Sequence, residues 1–234
     1  MKIFELKNKC VLVTGSSKGI GKSVAAQCAY AGAKVIISSR KINACKETAN
    51  EINSDVGDEV AFPIQANIGD KTQLENLVNE AREKIGKIDV LVCNAATNPF
   101  LGSSLDIPEE AFDKIINNNI KSNHLLANLV LPEMIERKDG VIIIISSISG
   151  FKGNEILGTY AMTKAADMAL ARNLAVEFGK HNIRSNTIAP GLIKTDMAKA
   201  IWDNPDTLKT FTETNPMLRI CLLYTSPSPR DSSP

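Results

Sequence analysis

Six short apolar runs punctuate the 234-residue chain: CVLVT at 10–14, KVIIS at 34–38, VAFPI at 60–64, IDVLVC at 88–93, VIIII at 141–145 and IRSNTI at 183–188. Between them lie longer stretches, 20–25 through Ala31, 41–54, 70–85, 108–137 and 158–180. These read as helices, the last carrying Ala, Leu, Met and Val at three-and-four spacing. Runs that are continuously apolar, rather than alternating, belong in a sheet covered on both faces. A β-α-β rhythm then demands parallel pairing, because each crossover returns the chain to the same end of the sheet. The expected fold class is α/β, a doubly wound parallel sheet in three αβα layers. No repeat and no linker before Cys221 divides it, so residues 1–220 read as one domain.

Composition narrows the partner. With 44% hydrophobic and 23% charged residues the chain is an ordinary globular one, and Lys+Arg 27 against Asp+Glu 26 leaves a net charge of +1. The bulk numbers thus lack the basic footprint of a nucleic-acid or membrane-surface binder, and the expected partner is a small molecule. The longest aliphatic run, VIIII, is far shorter than a membrane span, and MKIFELKNKCVLVTG carries no secretory apolar stretch. A cytoplasmic protein is the expectation. The five cysteines, Cys10, Cys28, Cys45, Cys93 and Cys221, form no C-x-x-C pair, which reads as free thiols with neither a disulfide framework nor a metal site.

The first chemical signal is VTGSSKGIGKS at 13–23, directly after the first apolar run. Gly15, Gly19 and Gly21 stand where strand turns to helix, so backbone N–H groups there can approach a phosphate at the positive end of the helix. Three readings compete: a dinucleotide site, a P-loop ending in Gly21-Lys22-Ser23, and a purely structural turn. The P-loop needs glycine where Ser16 stands, and no acidic residue for Mg²⁺ ends a later strand.

The second signal is GTYAMTKAADMAL at 158–170, which puts Tyr160 and Lys164 four residues apart on one helical face. Ser147 lies thirteen residues before Tyr160 at the end of the fifth strand, and Asn119 sits in INNNIKSN inside the preceding helix. In a parallel sheet the strand ends beside the glycine loop form the ligand crevice, which brings such distant residues together. Asn117, Asn118 and Ser146 are neighbouring look-alikes and rank below. His124 and His181 read as ordinary helix or loop residues.

Taken together, TGSSKGIG (14–21), CNAA (93–96), Asn119, Ser147, YAMTK (160–164) and APG (189–191) followed by Thr195 resemble the short-chain dehydrogenases/reductases, over about Lys7 to Ile220. The resemblance implies a Rossmann fold and hydride transfer between a nicotinamide and a carbonyl or alcohol. It makes Tyr160 the acid/base, Lys164 the group that lowers the tyrosine's pKa and holds the nicotinamide ribose, Ser147 the donor to the substrate oxygen, and Asn119 the anchor of a relay water. It places the cofactor along Thr14, Gly15, Ser17, Lys18, Gly19, Ile20, Gly21, Ser39, Arg40, Asn67, Ile68, Asn94, Ala95, Ala96, Tyr160, Lys164, Pro190, Gly191, Ile193 and Thr195. Asn67 and Ala96 depart from the family's usual Asp and Gly. In VIISSRK, Ser39 stands where an NAD site carries an acid and Arg40 follows, with Lys18 adding a second positive charge, so NADP(H) is expected over NAD(H).

VIISSRK, NAATNPFLGS and APGLIKTDMAKAIW are similar to the NADPH-dependent carbonyl and retinal reductases, with Ile193, Met197, Ile201 and Trp202 as an apolar lid. A hydrophobic ketone or aldehyde is the expected substrate. A 3-oxoacyl carrier-protein reductase and an inactive nucleotide-binding fragment are the alternatives. Family members continue past a segment like NPMLRI with a further helix and strand, which supply a common tetramer interface; a homotetramer or homodimer is expected at full length. CLLYTSPSPRD resembles the translation of a transposase-type sequencing adapter, so residues 221–234 are expected to be a non-native tail, or else a disordered Ser- and Pro-rich one, and the chain to lack the final helix and strand.

Overall fold

The computed structural model describes residues 5–213 and 215–223. They divide at Ala189/Pro190 into two compact units. The first holds six strands, β1 (Cys10–Thr14), β2 (Lys34–Ser39), β3 (Ala61–Gln65), β4 (Val90–Cys93), β5 (Gly140–Ile145) and β6 (Ile183–Ile188), in the order β3-β2-β1-β4-β5-β6. Every pairing is parallel. The order reverses between β1 and β4, and the crevice at that reversal is where open α/β sheets bind ligands.

The central strands β1 and β2 bury both faces, which is why their runs are apolar without alternation, whereas the edge strand β6 alternates, with Arg184 and Asn186 exposed. Leu12, Ile36, Leu91 and Ile142 face one core with α3 (Lys71–Ile85) and α5 (Ser122–Arg137). Val11, Val13, Val35 and Ile37 face the other with α1 (Gly19–Tyr30) and α2 (Ile42–Val56). Asp70 caps α3 by accepting from the Gln73 backbone N–H at 3.1 Å, and that bond holds its carboxyl below the usual range. Gly57, at φ +79°, ends α2 in the left-handed conformation.

The long helix expected over 108–137 is two helices, α4 (Glu109–Ile116) and α5, joined by a π-turn at Asn117–Lys121. The polar run NNNIKSN explains the interruption: Ser122 Oγ donates to Asn118 O and Asn123 Nδ2 to Asn119 O, so side chains take carbonyls that a regular ladder would use. The helix α6 (Gly158–Phe178) runs unbroken and ends two residues earlier than its sequence pattern. None of the described helices is long and apolar enough to cross a membrane.

In the second unit the segment expected as a lid contains α7 (Lys199–Trp202), and α8 (Pro205–Glu213) follows it. Ile193 and Cys221 form a parallel bridge, with Lys194 N donating to Cys221 O at 2.9 Å and Cys221 N to Leu192 O at 3.1 Å. The expected tail thus begins at a paired residue, and 224–234 lie outside the described residues.

Candidate active site

The turn after β1 is built by three side chains. Thr14 is buried, and its Oγ1 accepts from the backbone N–H groups of Asn94 and Ala95, both at 3.1 Å, tying β1 to the end of β4. Asn94 answers with Nδ2, donating to Thr14 O at 2.9 Å and Gly15 O at 3.0 Å. Ser16 Oγ donates to Val13 O at 2.7 Å and accepts from Ser38 N at 2.9 Å, which fastens the turn to β2. Gly15 and Gly19 take φ +64° and +59°. Gly21 has ordinary φ but no room, because a Cβ there would overlap Asn94 Nδ2 and Gly15 O. These glycines are therefore demanded by conformation and by packing.

The loop suits an anion. Lys18, the residue before α1, is extended and offers its side chain to no cap bond, and no acidic residue stands in the first turn. The initial N–H groups of a helix lack intrahelical acceptors, so this end fits the pyrophosphate of a dinucleotide. Ser17 sits beside it, its carbonyl accepting from Thr48 Oγ1 at 3.0 Å, and Ile20 packs on the second core. The P-loop reading fails on Lys22, whose Nζ pairs with Glu51 of α2 at 2.6 Å instead of turning to the loop.

At the end of β2, Ser39 Oγ lies 3.1 Å from Cys45 Sγ and accepts from Lys41 N at 3.3 Å. Arg40 is exposed, and no carboxylate occupies this strand end. Asn67 Oδ1 accepts from Gly69 N at 3.2 Å, while Ile68 packs on the first core. Ala96 follows Ala95 in the irregular stretch after β4.

The proposed chemical groups converge on α6. Lys164 is 2% exposed; its Nζ donates to Ile145 O and to Asp167 Oδ2, both at 2.9 Å, and lies 5.7 Å from the Tyr160 ring centroid. Tyr160 is half-buried. Ser147 follows β5 and starts a short 3₁₀ turn, Ile148–Phe151, its Oγ accepting from Ser149 N at 3.1 Å. Gly150 seats that turn on α6: a Cβ would stand 2.8 Å from Lys164 C. Ser146, by contrast, is buried, and its hydroxyl donates to Lys164 O at 2.7 Å.

Asn119 lies in the π-turn with its side chain fully engaged. Its Oδ1 accepts from Thr97 N at 2.8 Å, and its Nδ2 donates to Thr97 O at 2.9 Å and to Thr163 Oγ1 at 3.2 Å. The amide clamps the segment after β4 against α6, and the Asn119 carbonyl, not the amide, faces Asn123. Sequence reasoning missed Asp167, Asn123 and Thr163. The signal was present, because Asp167 falls one turn beyond Lys164 and Asn123 one turn beyond Asn119. Burial raises the Asp167 carboxyl above its usual range, with Lys164 and Asn123 pulling it back.

Tyr160 lines a small concave surface together with apolar Phe100, Ile107, Ile156 and Leu157 and polar Asn98, Ser104 and Thr159. In the second unit, Thr195 O accepts from Trp202 Nε1 at 2.8 Å, and Lys194 Nζ stands 5.1 Å above the Trp202 ring, so the tryptophan folds back on its own loop. Pro190, Gly191 and Ile193 precede Thr195 in that unit. Among the described residues no three His, Cys, Asp or Glu side chains gather as a metal site.

The sheet order, the glycine turn and the Tyr160–Lys164 pair define an oxidoreductase that works on CH–OH groups with a nicotinamide nucleotide. The chain belongs to the short chain dehydrogenase family, whose pattern matches residues 9–206. It is 40% identical over 200 residues to the "Dehydrogenase/reductase SDR family member 4" of Bos taurus, covering 86% of this chain and 71% of that protein. A 7α-hydroxysteroid dehydrogenase solved with NADH and 7-oxo glycochenodeoxycholic acid superposes at TM-score 0.87 with 34% identity, over 94% of this chain and 84% of that one. A gluconate 5-dehydrogenase from Burkholderia cenocepacia J2315, solved with NADP and tartrate, superposes at 0.88 with 25% identity, over 94% and 85%.

Proposed function

We propose that the protein is an NADP(H)-dependent reductase of hydrophobic ketones or aldehydes. The observation that carries the reading is the placement of Tyr160 beside the buried Lys164 ammonium, in the lining of a small concavity that mixes apolar Phe100, Ile107, Ile156 and Leu157 with polar Asn98, Ser104 and Thr159. A bound nicotinamide supplies the hydride that reduces the carbonyl carbon. Tyr160 donates its phenolic proton to the carbonyl oxygen as charge builds there, and takes it back in the oxidation direction. Ser147 Oγ donates to the same oxygen and fixes its direction. Lys164 holds positive charge beneath the phenol, which favours the phenolate left after donation. Asn119 keeps the segment after β4 against α6 through the hydrogen bonds of its amide to Thr97 and Thr163.

Preference for the phosphorylated cofactor rests on the end of β2. Ser39 brings no negative charge to repel a 2′-phosphate, and the exposed Arg40 guanidinium can meet it bidentately, with Lys18 nearby in the loop sequence. Phe100, Ile107, Ile156 and Leu157 favour an apolar substituent on the carbonyl.

Steady-state reduction of acetophenone and acetoacetyl thioesters, each with NADPH and NADH, tests both halves. Reduction of the aryl ketone with NADPH preferred, and a preference lost in Arg40→Ala, is the expected result. Turnover of thioesters alone contradicts the substrate class, and equal use of NADH contradicts the cofactor assignment.

A further inference from the structure

Lys164 has a charged neighbour that the proposed reaction does not use. Asp167 is 1% exposed and lies one turn beyond Lys164 on α6, so Tyr160, Lys164 and Asp167 share a face. Both carboxylate oxygens are engaged: Oδ2 accepts from Lys164 Nζ at 2.9 Å and Oδ1 from Asn123 Nδ2 at 2.8 Å. Asn123 reaches from α5 and also donates to Asn119 O at 2.8 Å. The four residues form one chain of bonds from the π-turn to the ammonium beneath Tyr160.

We propose that Asp167, held by Asn123, is a positioning residue that fixes the Lys164 ammonium and offsets part of its charge, and so sets where Tyr160 titrates. This rests on the acid/base reading of Tyr160 given above. An ammonium has three N–H donors. Ile145 O and Asp167 Oδ2 accept two of them, so one N–H is left for a third acceptor.

Charge bookkeeping gives the second half. A buried lysine beside a phenol favours phenolate, whereas a carboxylate further along disfavours it. Tyr160 and Asp167 are seven residues apart, roughly 10 Å along a helix. At an effective dielectric near 20, a unit charge at that distance moves a titration midpoint by about one pH unit. Cys93 at the end of β4 feels both Lys164 and Asp167, and burial pushes its thiol far up and keeps it neutral. Asn123 is uncharged, so the Lys164–Asp167 balance sets the local field.

The test uses the three tyrosines of the chain, Tyr30, Tyr160 and Tyr224. The cofactor-free protein is labelled with carbon-13 tyrosine and titrated by NMR, with the Tyr160 signal identified by its loss in Tyr160→Phe. Asp167→Asn keeps the side-chain shape and removes the charge; the Tyr160 midpoint is expected to fall by about one pH unit. Asn123→Ala removes one donor to the carboxylate and is expected to shift the midpoint the same way by less, which keeps the idea testable if Asp167→Asn does not fold. An unchanged midpoint makes Asp167 merely structural and overturns the proposal, and a raised midpoint overturns it by showing that Lys164 loses its proton without Asp167. Turnover by Tyr160→Phe separates the premise: if that variant keeps full activity, the acid/base reading fails, whereas a dead Tyr160→Phe with an unmoved Asp167→Asn midpoint sinks only the present inference.

Discussion

Gly21→Ala is the sharpest perturbation of the cofactor loop. In an open helix this change stabilises by about 0.8–1 kcal/mol, because alanine restricts the unfolded chain and glycine does not. At position 21 the added carbon overlaps Gly15 O and Asn94 Nδ2, one of them backbone, so the turn has to move. Displacing Asn94 endangers its bonds to Thr14 O and Gly15 O, worth about 1 kcal/mol each, and overpacking of a tight contact adds about 1–3 kcal/mol. Set against the propensity gain, the net expectation is a loss of about 2–4 kcal/mol, or roughly 4–16 °C in melting temperature for a chain of this size. NADPH affinity, read by calorimetric titration, should weaken about tenfold or more, because the N–H groups move away from the phosphates. Gly179→Ala is the control: φ there is −57° and nothing lies within 4 Å of the new carbon, so stability should hold or rise. Gly179 itself is the residue after α6, far along the sequence from the loop. If Gly21→Ala melts and binds NADPH like the parent, the packing argument for the loop is wrong.

Two further expectations come from an exposed ion pair and from the buried thiol at the end of β4. Lys9 and Asp139 pair at 2.9 Å, with side chains 40% and 45% exposed, so the pair contributes only about 0.2–1 kcal/mol. The bond from Lys9 lowers the Asp139 carboxyl below the ordinary carboxylate value and the same bond raises Lys9 above the ordinary lysine value. The contribution is therefore full between those values, lost as pH falls through the lowered carboxyl and again as it rises through the raised ammonium. Urea denaturation of Asp139→Asn should show the deficit near neutrality and none in strong acid; a deficit that persists in acid refutes the linkage. Cys93 is fully enclosed and its thiol is pushed up by burial, so disulfide-exchange reagents should modify it only as fast as the protein unfolds, after the half-buried Cys28. Prompt labelling of Cys93 in the native protein, located by peptide mass mapping, contradicts its placement.

The fold was legible because every strand carries its own signal. β1 and β6 match their apolar runs end to end, and β2, β3 and β5 differ by a residue. At β4 the run starts two residues early, since Ile88 is buried without pairing. The π-turn was hidden, because periodicity cannot distinguish one long amphipathic helix from two helices whose faces stay in register. The clue lay in polarity, in three consecutive asparagines followed by Ser122 and Asn123, whose side chains compete for the backbone. Helices α7 and α8 escaped for a different reason: they are short and bury none of their residues, so no apolar stripe announces them.

At the site, spacing picked out the residues proposed to carry the chemistry but not those that hold them. Tyr160 and Lys164 share a face by helical arithmetic, and Ser147 follows a strand end. Asn94's double bond to the glycine turn and Asn123's link between Asn119 and Asp167 join residues about 80 and 44 positions apart, which no local pattern encodes. Asp167 illustrates the limit. Its position on the face was readable, yet a carboxylate in a helix is ordinarily solvent-facing, and only packing shows it enclosed.

The most direct test of the account compares the parent protein and Tyr160→Phe for reduction of acetophenone, followed through loss of NADPH absorbance, with calorimetric NADPH binding measured on both. The account requires the parent to turn over and Tyr160→Phe to bind NADPH with similar affinity while losing about 10²-fold or more in kcat, the size of a missing general acid. Undiminished turnover by Tyr160→Phe would contradict it.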